Sequence, residues 1–244
     1  MEKLQNHRLT IRYDGRAYFG WQRHGEKPTL QGALEQAIQR AFMVESVVTA
    51  SGRTDRGAHA EGQVAHALLP TGPLEALNSY LPADIRILEA VSVAADFHAC
   101  YSAVGKRYRY EIWNAPQCPP EREGRVWHIA GPLDHEAMGE VCPVLVGKHD
   151  FASFATRPNF KQKSTVRTIS NIGFQADLPL ITLTFESDGF LYKMVRNLVR
   201  AIVRVGEGRS DVEKIKAVLQ AKDRKAAPGT APASGLFLDA VFYE

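Results

Sequence analysis

The chain begins its first regular element with an alternating stretch, Leu9-Thr10-Ile11-Arg12-Tyr13, which the pair Asp14-Gly15 ends. Alternation of apolar and polar side chains has the period of a β-strand, and Asp-Gly is a turn signal. Farther along, Thr29 precedes apolar residues at helical spacing, and threonine is a favoured N-cap. The apolar face of this predicted helix comprises Leu30, Ala33, Leu34, Ala37, Ile38, Ala41 and Phe42.

The same two periods extend over the rest of the first half. Strands are predicted at 47–50, 64–69 and 87–93. A short helix precedes the last of them and carries Leu74, Leu77 and Leu81. The first half is therefore β-α-β-β-α-β, the split-βαβ pattern.

The second half repeats this order. Strands are predicted at 107–113, 166–176, 180–186 and 236–242, and helices at 134–145, at 191–205 and after the capping box Ser210-Asp211-Val212-Glu213. Asp134 caps the first of these helices, and Pro143 is expected to kink or end it. The repeat predicts an α+β fold of two β-α-β-β-α-β lobes, residues 1–104 and 105–244. They form a mostly antiparallel sheet with helices packed on it.

Composition narrows the class of protein without indicating a function. The chain has 244 residues, 45% of them hydrophobic, so it can bury a sizeable core as one or two domains. Its net charge of +3 is compatible with a nucleic-acid partner but too small to indicate one. No apolar run is long enough for a membrane span or a signal peptide. Cys100, Cys118 and Cys142 lack C-x-x-C spacing and predict free thiols in a reducing cytoplasm.

The sharpest chemical signal is the loop of residues 51–60, SGRTDRGAHA, which follows a predicted strand. Its two glycines permit backbone angles that would hold Asp55 in a fixed, exposed position. Arg53 and Arg56 flank this carboxylate, and positive charge nearby suits a nucleophile. From these residues alone, a turn aspartate that caps its own loop explains the pattern as well.

Two further segments carry cations beside aromatic or apolar faces. On the strand at 107–113, Tyr108 and Tyr110 share one face and Arg107 shares the other with Arg109, an arrangement suited to stacking on an extruded base. An edge strand with its tyrosines packed inward is the alternative. The second segment is the predicted helix at 191–205, whose charges form a stripe.

Lys193, Arg200 and Arg204 lie opposite the apolar face of that helix and could meet phosphates. Arg196 falls on the border of the two faces, where it could reach a buried carboxylate. A solvated helix face explains the stripe equally well. Residues 157–167 hold four basic residues and no acidic one, which predicts a basic loop that either clamps nucleic acid or is solvated.

Known motifs for nucleotide, flavin and metal chemistry are missing from the sequence. It contains no P-loop, no G-x-S-x-G, no H-E-x-x-H and no EF-hand loop. The sequence therefore predicts neither a cofactor nor a metal site.

The segment Gly52-Arg53-Thr54-Asp55-x-Gly57 resembles the hallmark loop of the TruA family of tRNA pseudouridine synthases. Similar segments follow one another along nearly the whole chain. They are Tyr13-Asp14-Gly15, Gly20-Trp21-Gln22, Gln31-x-x-Leu34-Glu35, Gly62-Gln63-Val64, Asn78-x-x-Leu81-Pro82, Phe97-His98-Ala99, Arg107-Tyr108-x-Tyr110, Gly147-x-His149-Asp150-Phe151, Phe190-Leu191-Tyr192-x-Met194-Val195-Arg196 and Ala231-Pro232-x-x-Gly235-Leu236.

This resemblance implies a site in the cleft between the lobes, where Asp55 is the nucleophile, Tyr108 stacks on the target base and Arg196 pairs with the carboxylate. The predicted catalytic residues are Asp55, Arg53 and Arg196, and the predicted substrate-binding residues are Tyr108, Leu191, Arg56, Arg107, Lys193 and Arg200. The resemblance also implies a homodimer that needs no cofactor and converts uridines 38, 39 and 40 of the tRNA anticodon stem-loop to pseudouridine.

Two positions depart from the family pattern. Arg56 stands where the family usually has alanine, and Cys100 stands where it commonly has arginine. Both bear on RNA contact rather than on the reaction. The sequence leaves open attack at C1′ of the ribose, attack at C6 of the uracil, and a glycal route. It also leaves open a non-catalytic tRNA-binding or tRNA-folding protein, and a synthase with another RNA target. A hydrolase that uses Asp55 would need a partner carboxylate or a metal site.

Overall fold

The computed structural model describes residues 4–72, 74–156 and 164–244. They divide into two compact units, unit 1 within Met1–Val104 and Phe237–Glu244, and unit 2 within Gly105–Leu236. None of the helices in these described ranges has the length and apolar composition needed to cross a membrane.

The described residues of unit 1 form β-strands and one α-helix. Its elements up to residue 92 are β1 (Leu4–Tyr13), α1 (Leu30–Phe42), β2 (Thr49–Ala50), β3 (His59–Pro70) and β4 (Ile85–Ser92). β1 lies between β3 and β4 and is antiparallel to both, with Leu9 opposite Ala65 and Ala90. β2 pairs with β3 along its other edge. The buried side of β1 and the apolar face of α1 supply the core, because Leu9, Ile11 and Leu30 are all 0% exposed.

The described residues of unit 2 form mostly antiparallel strands and three α-helices. Its elements are β5 (Ala103–Trp113), β6 (Trp127–His128), α2 (His135–Leu145), β7 (Gly147–Asp150), β8 (Val166–Asp177), β9 (Leu180–Ser187), α3 (Met194–Gly206) and α4 (Val212–Ala221). The strand order is β5-β9-β8-β7, and β6 adds to β5 in parallel. α2 packs against α3, α4 and β8, which covers the sheet on that side.

The last strand, β10 (Leu236–Tyr243), joins the first unit. It runs parallel to β3, with Phe237 opposite His59 and Leu238 opposite Ala60. Residues 237–244 therefore lie in unit 1, whereas the sequence-based division placed them in the second lobe. The predicted fold class is confirmed: strands are mostly antiparallel, and the helices are separate in sequence from the strand pairs on which they pack.

Two predicted helices differ from the observed ones. The segment at 74–81 is a 3-10 helix, Leu74–Ser79, which ends before Leu81 because a residue that precedes proline disfavours the helical conformation. Asn78 also donates to and accepts from the backbone of Ile87, at 2.9 and 2.8 Å, which ties this turn to β4. α3 begins at Met194 rather than at Leu191, because Lys193 has a left-handed φ of 60°.

Several strands differ in length from the prediction, whereas α2 ends at the predicted residue. β1, β3 and β5 are longer than the alternating segments, and β2 is only two residues long. Pro143 lies inside α2, which ends two residues later at Leu145. β6 and β7 were not predicted, since two to four residues are too few to show a period.

The helix caps were predicted correctly at two of three helices. The Thr29 hydroxyl accepts from Gly32 N at 3.2 Å, and Asp134 Oδ1 accepts from Ala137 N at 2.9 Å. The cap of α4 is Asp211, whose Oδ1 accepts from Lys214 N at 2.7 Å, and not Ser210 of the predicted capping box.

The cap of α4 gives a testable difference in stability. We expect Asp211→Ala to lower the free energy of unfolding by about 1 kcal/mol, because the Lys214 N–H loses its acceptor. The neighbouring change Ser210→Ala should cost less than about 0.5 kcal/mol, because its hydroxyl does not cap the helix. Urea denaturation of both variants measures the difference, and a larger loss in Ser210→Ala would contradict the assignment.

Candidate active site

Asp55 lies on the loop between β2 and β3, and the start of this loop is bonded to β3. Ser51 N donates to Val64 O at 2.7 Å, and Gln63 Nε2 donates to Gly52 O at 2.7 Å. Gln63 is completely buried, so in the folded protein water does not compete for this hydrogen bond. The entry to the loop is therefore as fixed as the strand beside it.

The middle of the loop is held through Thr54, which is 7% exposed. Its hydroxyl lies 2.8 Å from the Tyr13 hydroxyl, and its carbonyl accepts from Trp21 N at 3.1 Å. Gln63 Nε2 also donates to the Tyr13 hydroxyl at 3.3 Å. Burial raises the pKa of Tyr13 to about 12, against the opposing effect of the Thr54 and Gln63 hydrogen bonds. The phenol is therefore neutral and serves as a hydrogen-bonding support.

Glycines let two other segments approach the loop closely. Gly20 has φ +93°, and a Cβ there would lie 2.8 Å from Thr54 O. A Cβ at Gly15 would overlap the carbonyl oxygen of Ala58 and lie 2.7 Å from its carbon. Backbone therefore packs on backbone on both sides of Asp55, with no side chain between.

The loop closes its own turn with backbone groups. Ala58 N donates to Asp55 O at 3.1 Å, and Gly57 adopts φ +80°. Asp55 is half-buried, while Arg53 and Arg56 are exposed. The loop thus holds a carboxylate at the border between protein and solvent, between two exposed guanidinium groups.

The end of the loop is anchored by His59, which is 0% exposed. Its Nδ1 accepts from Gly15 N at 3.2 Å, and its ring stacks on Phe237 with 4.7 Å between centroids. Asp14 Oδ1 lies 3.2 Å from the same Nδ1. The same ring nitrogen therefore lies within reach of both the Gly15 N–H and the Asp14 carboxylate.

Arg56 is placed by an aromatic neighbour. Its guanidinium carbon lies 4.2 Å from the centre of the Phe19 ring, and Lys27 Nζ lies 5.1 Å from the same centre. Phe19 is 39% exposed. The three residues form a cationic, partly apolar surface in the unit that carries Asp55.

Unit 2 carries the predicted stacking residue on β5. Tyr108 is 8% exposed and meets Phe190 edge to face, with ring centres 5.1 Å apart. Tyr110 is 0% exposed, and its hydroxyl donates to Pro232 O at 2.7 Å. Burial raises the pKa of Tyr110 far above its usual range, although Arg196 opposes the shift. The predicted alternation of β5 is confirmed, since both tyrosines are more buried than Arg107 and Arg109.

Arg196 lies in the first turn of α3 and is oriented by a neighbouring loop. Its Nε donates to Ala231 O at 2.8 Å, and Ala231 N donates to Arg196 O at 3.1 Å. A side chain at Gly235 would lie 2.7 Å from the Tyr110 ring, so the loop that holds Arg196 also packs closely on β5.

The other predicted binding residues of unit 2 have protein contacts of their own. Arg107 pairs with Glu186 at 2.6 Å, and Arg200 pairs with Glu207 at 3.0 Å. The Arg200 guanidinium also lies 5.5 Å from the Trp127 ring. Their contact with RNA stays a prediction, as does the phosphate-binding stripe.

Leu191 and Lys193 flank the start of α3. Leu191 is 3% exposed, and Lys193 Nζ lies 5.1 Å from the Tyr192 ring. The basic segment predicted at 157–167 falls mainly on residues 157–163, which lie outside the described residues. Within 4–72, 74–156 and 164–244, no group of three or more His, Cys, Asp or Glu side chains could hold a metal ion.

Sequence reasoning named candidate reactive residues but gave no role to the residues that hold their loop. Tyr13, Gly15, Gly20 and Gln63 belong to segments that the resemblance marked without giving them a role, and His59 lies at the end of the loop itself. Each of the first four residues packs on the Asp55 loop or bonds to a residue of it. These contacts become visible only once the chain is folded.

The amino-acid sequence is similar to one described protein family and to several named proteins. A family model described as tRNA pseudouridine synthase matches residues 9–102 and 141–244. The chain is 41% identical to tRNA pseudouridine synthase A of Methylacidiphilum infernorum (isolate V4), covering 97% of this chain and 95% of that protein. It is 41% identical to tRNA pseudouridine synthase A 2 of Clostridium perfringens, with coverages of 98% and 100%. It is 43% identical to tRNA pseudouridine synthase A of Rhodospirillum rubrum, with coverages of 96% and 86%.

Proposed function

This chain belongs to the tRNA pseudouridine synthase family, and from that premise we propose that it isomerises uridines 38, 39 and 40 of tRNA with Asp55 as the nucleophile. The immobilised loop around Asp55 carries the proposal, because a carboxylate held between buried backbone contacts and solvent can meet a substrate without reorganising. The proposed enzyme is a cytoplasmic homodimer, as the family resemblance implies.

The reaction conserves all the atoms of the nucleoside. The N1–C1′ bond breaks, the uracil turns, C5 joins C1′, the proton on C5 leaves and N1 gains a proton. No electrons are gained or lost. Asp55 acts by attack at C1′ of the ribose, by attack at C6 of the uracil, or by assisting a glycal route, and each of these needs a carboxylate beside the target nucleoside.

The target nucleotide must leave its stack before it can react, which costs a few kcal/mol. Contacts between cationic side chains and phosphates supply binding free energy for this step. Arg53 and Arg56 are exposed beside Asp55 and suit that role. Tyr108 is proposed to stack on the extruded base and, with Asp55, is a candidate acceptor of the C5 proton. The resemblance assigns Arg196 to pair with Asp55.

Tritium release from unmodified tRNA labelled at C5 of uracil tests the activity. We expect release that reaches the number of uridines present at 38, 39 and 40, and none from a tRNA with cytidine at those positions. Release from the cytidine tRNA would indicate another target. Protein that binds the tRNA without releasing tritium would instead support the non-catalytic binding function.

Arg56 gives a separate prediction on tRNA affinity. Arg56→Ala should weaken tRNA binding about fivefold and reduce the slope of log K against log salt by a little under 1, as expected for one lost phosphate contact. Phe19→Leu keeps the charge but removes the ring that orients it, so we expect a smaller loss of affinity and an unchanged slope.

The measurement is filter binding across a salt series. Lys216→Ala is the control, because this exposed lysine of α4 pairs with Glu213 at 2.6 Å and should leave affinity and slope unchanged. An Arg56→Ala slope equal to that of the control would contradict the phosphate contact.

A further inference from the structure

Asn197 follows Arg196 on α3 and is completely buried. Its amide uses both ends: Nδ2 donates to Phe154 O at 2.6 Å, while Oδ1 accepts from Thr230 Oγ1 at 2.6 Å and from Arg224 Nη2 at 3.2 Å. An amide in a helix interior is costly to bury unless it is fully bonded, and an apolar residue would serve packing alone. The amide therefore bonds α3 to two other segments, one at Phe154 and one at Thr230.

Arg224 gathers the loop that Asn197 contacts. Its guanidinium donates to Ala227 O at 3.2 Å, to Gly229 O at 3.1 Å and to Thr230 Oγ1 at 3.3 Å. Because a guanidinium is a rigid planar fork, these acceptors are fixed relative to one another. Burial lowers the pKa of Arg224, and the bonds to these oxygens compensate for the water that it has lost.

The loop fixed in this way is the one that orients Arg196. Thr230 bonds to Asn197, and the next residue, Ala231, exchanges two hydrogen bonds with Arg196 through its N–H and its carbonyl. Arg196 and Asn197 are adjacent on α3, and their hydrogen-bond partners, Ala231 and Thr230, are adjacent in the loop. Because the Arg196 Nε donates to Ala231 O, a shift of this loop would change the direction of the Arg196 side chain.

We infer that Asn197, supported by Thr230 and Arg224, is a positioning residue that acts through Arg196. The inference rests on the proposed function, in which Arg196 pairs with the catalytic carboxylate. A displacement of about 1 Å at a reacting group can lower turnover about 100-fold. We therefore expect Asn197→Ala and Thr230→Val to lower kcat by about 10- to 100-fold while KM for tRNA stays within about threefold.

Asn114 provides a matched control in the same unit. Its Nδ2 also donates to two backbone carbonyls, Ile129 O at 2.9 Å and Gly131 O at 2.8 Å, and neither belongs to the loop at 227–231. Asn114→Ala should lower the melting temperature as Asn197→Ala does and leave kcat within about threefold of wild type. Equal losses of kcat in the two variants would show a general effect of stability and would overturn the inference.

A double-mutant cycle with Arg196→Lys separates action through Arg196 from a direct effect. If Asn197 acts through this side chain, Asn197→Ala lowers kcat strongly in the wild type and by less than about twofold in the Arg196→Lys background. The same loss in both backgrounds overturns the inference. Tritium release by wild type together with unchanged kcat in Asn197→Ala overturns it alone, whereas no release by wild type overturns the proposed function.

Discussion

Asp55→Asn is expected to lower tritium release from C5 by at least about 1000-fold and to change tRNA affinity by less than about threefold. The amide has the shape of the carboxylate but lacks its nucleophilic charge. The turn itself should persist, because Ala58 N donates to the backbone oxygen of Asp55 and the flanking contacts of Thr54 and Gly52 remain. Loss of turnover with retained binding would therefore report chemistry and not folding.

Glu89→Gln is the matched control for this experiment. Glu89 is an exposed residue of β4 in unit 1 and pairs with Arg8 at 3.1 Å. The change to Gln therefore removes one negative charge from β4 and none from the Asp55 loop. Its tritium release should equal that of wild type. Residual activity in Asp55→Asn within tenfold of wild type would contradict the assignment of Asp55 as the nucleophile. An equal loss of activity in Glu89→Gln would show that the effect comes from the change in net charge.

Features set by neighbouring residues could be predicted from the sequence. Thr29 and Asp134 cap helices because an N-cap depends on a residue and the N–H groups two or three positions later. The cap of α4 shows the limit of this reasoning. Ser210 and Asp211 are both suitable caps, and the backbone conformation that selects Asp211 follows from where the preceding chain leaves α3.

Features set by distant residues could not be predicted. The helical pattern placed Arg200 in a basic stripe, but it could not show that Arg200 pairs with Glu207 and lies over the Trp127 ring. Arg56 was recognised as a departure from the family pattern, yet its partner Phe19 lies 37 positions earlier in the chain. Asn197 looked like an ordinary helix residue, since nothing local indicates that Thr230 and Phe154 meet its side chain.

Gly15→Ala should have the second large effect, through the position of the Asp55 loop. The new methyl group would overlap the Ala58 carbonyl, which is backbone and cannot rotate away. We expect the free energy of unfolding to fall by about 2 kcal/mol, since overpacking that moves backbone costs about 1–3 kcal/mol. We also expect kcat to fall about 100-fold, because Ala58 N is bonded to Asp55 O and the carboxylate moves with its neighbour.

Gly72→Ala makes the same chemical change in the same unit, at an exposed glycine whose added Cβ would meet nothing within 4 Å, and it should leave stability and kcat unchanged. Gly20→Ala is the milder companion, with a 2.8 Å approach to Thr54 O and a left-handed φ. It keeps the test decisive if Gly15→Ala does not fold. Turnover near that of Gly72→Ala in a folded Gly20→Ala protein would mean that the loop tolerates displacement. Catalysis would then depend on the identity of Asp55 and not on the backbone packing that holds it.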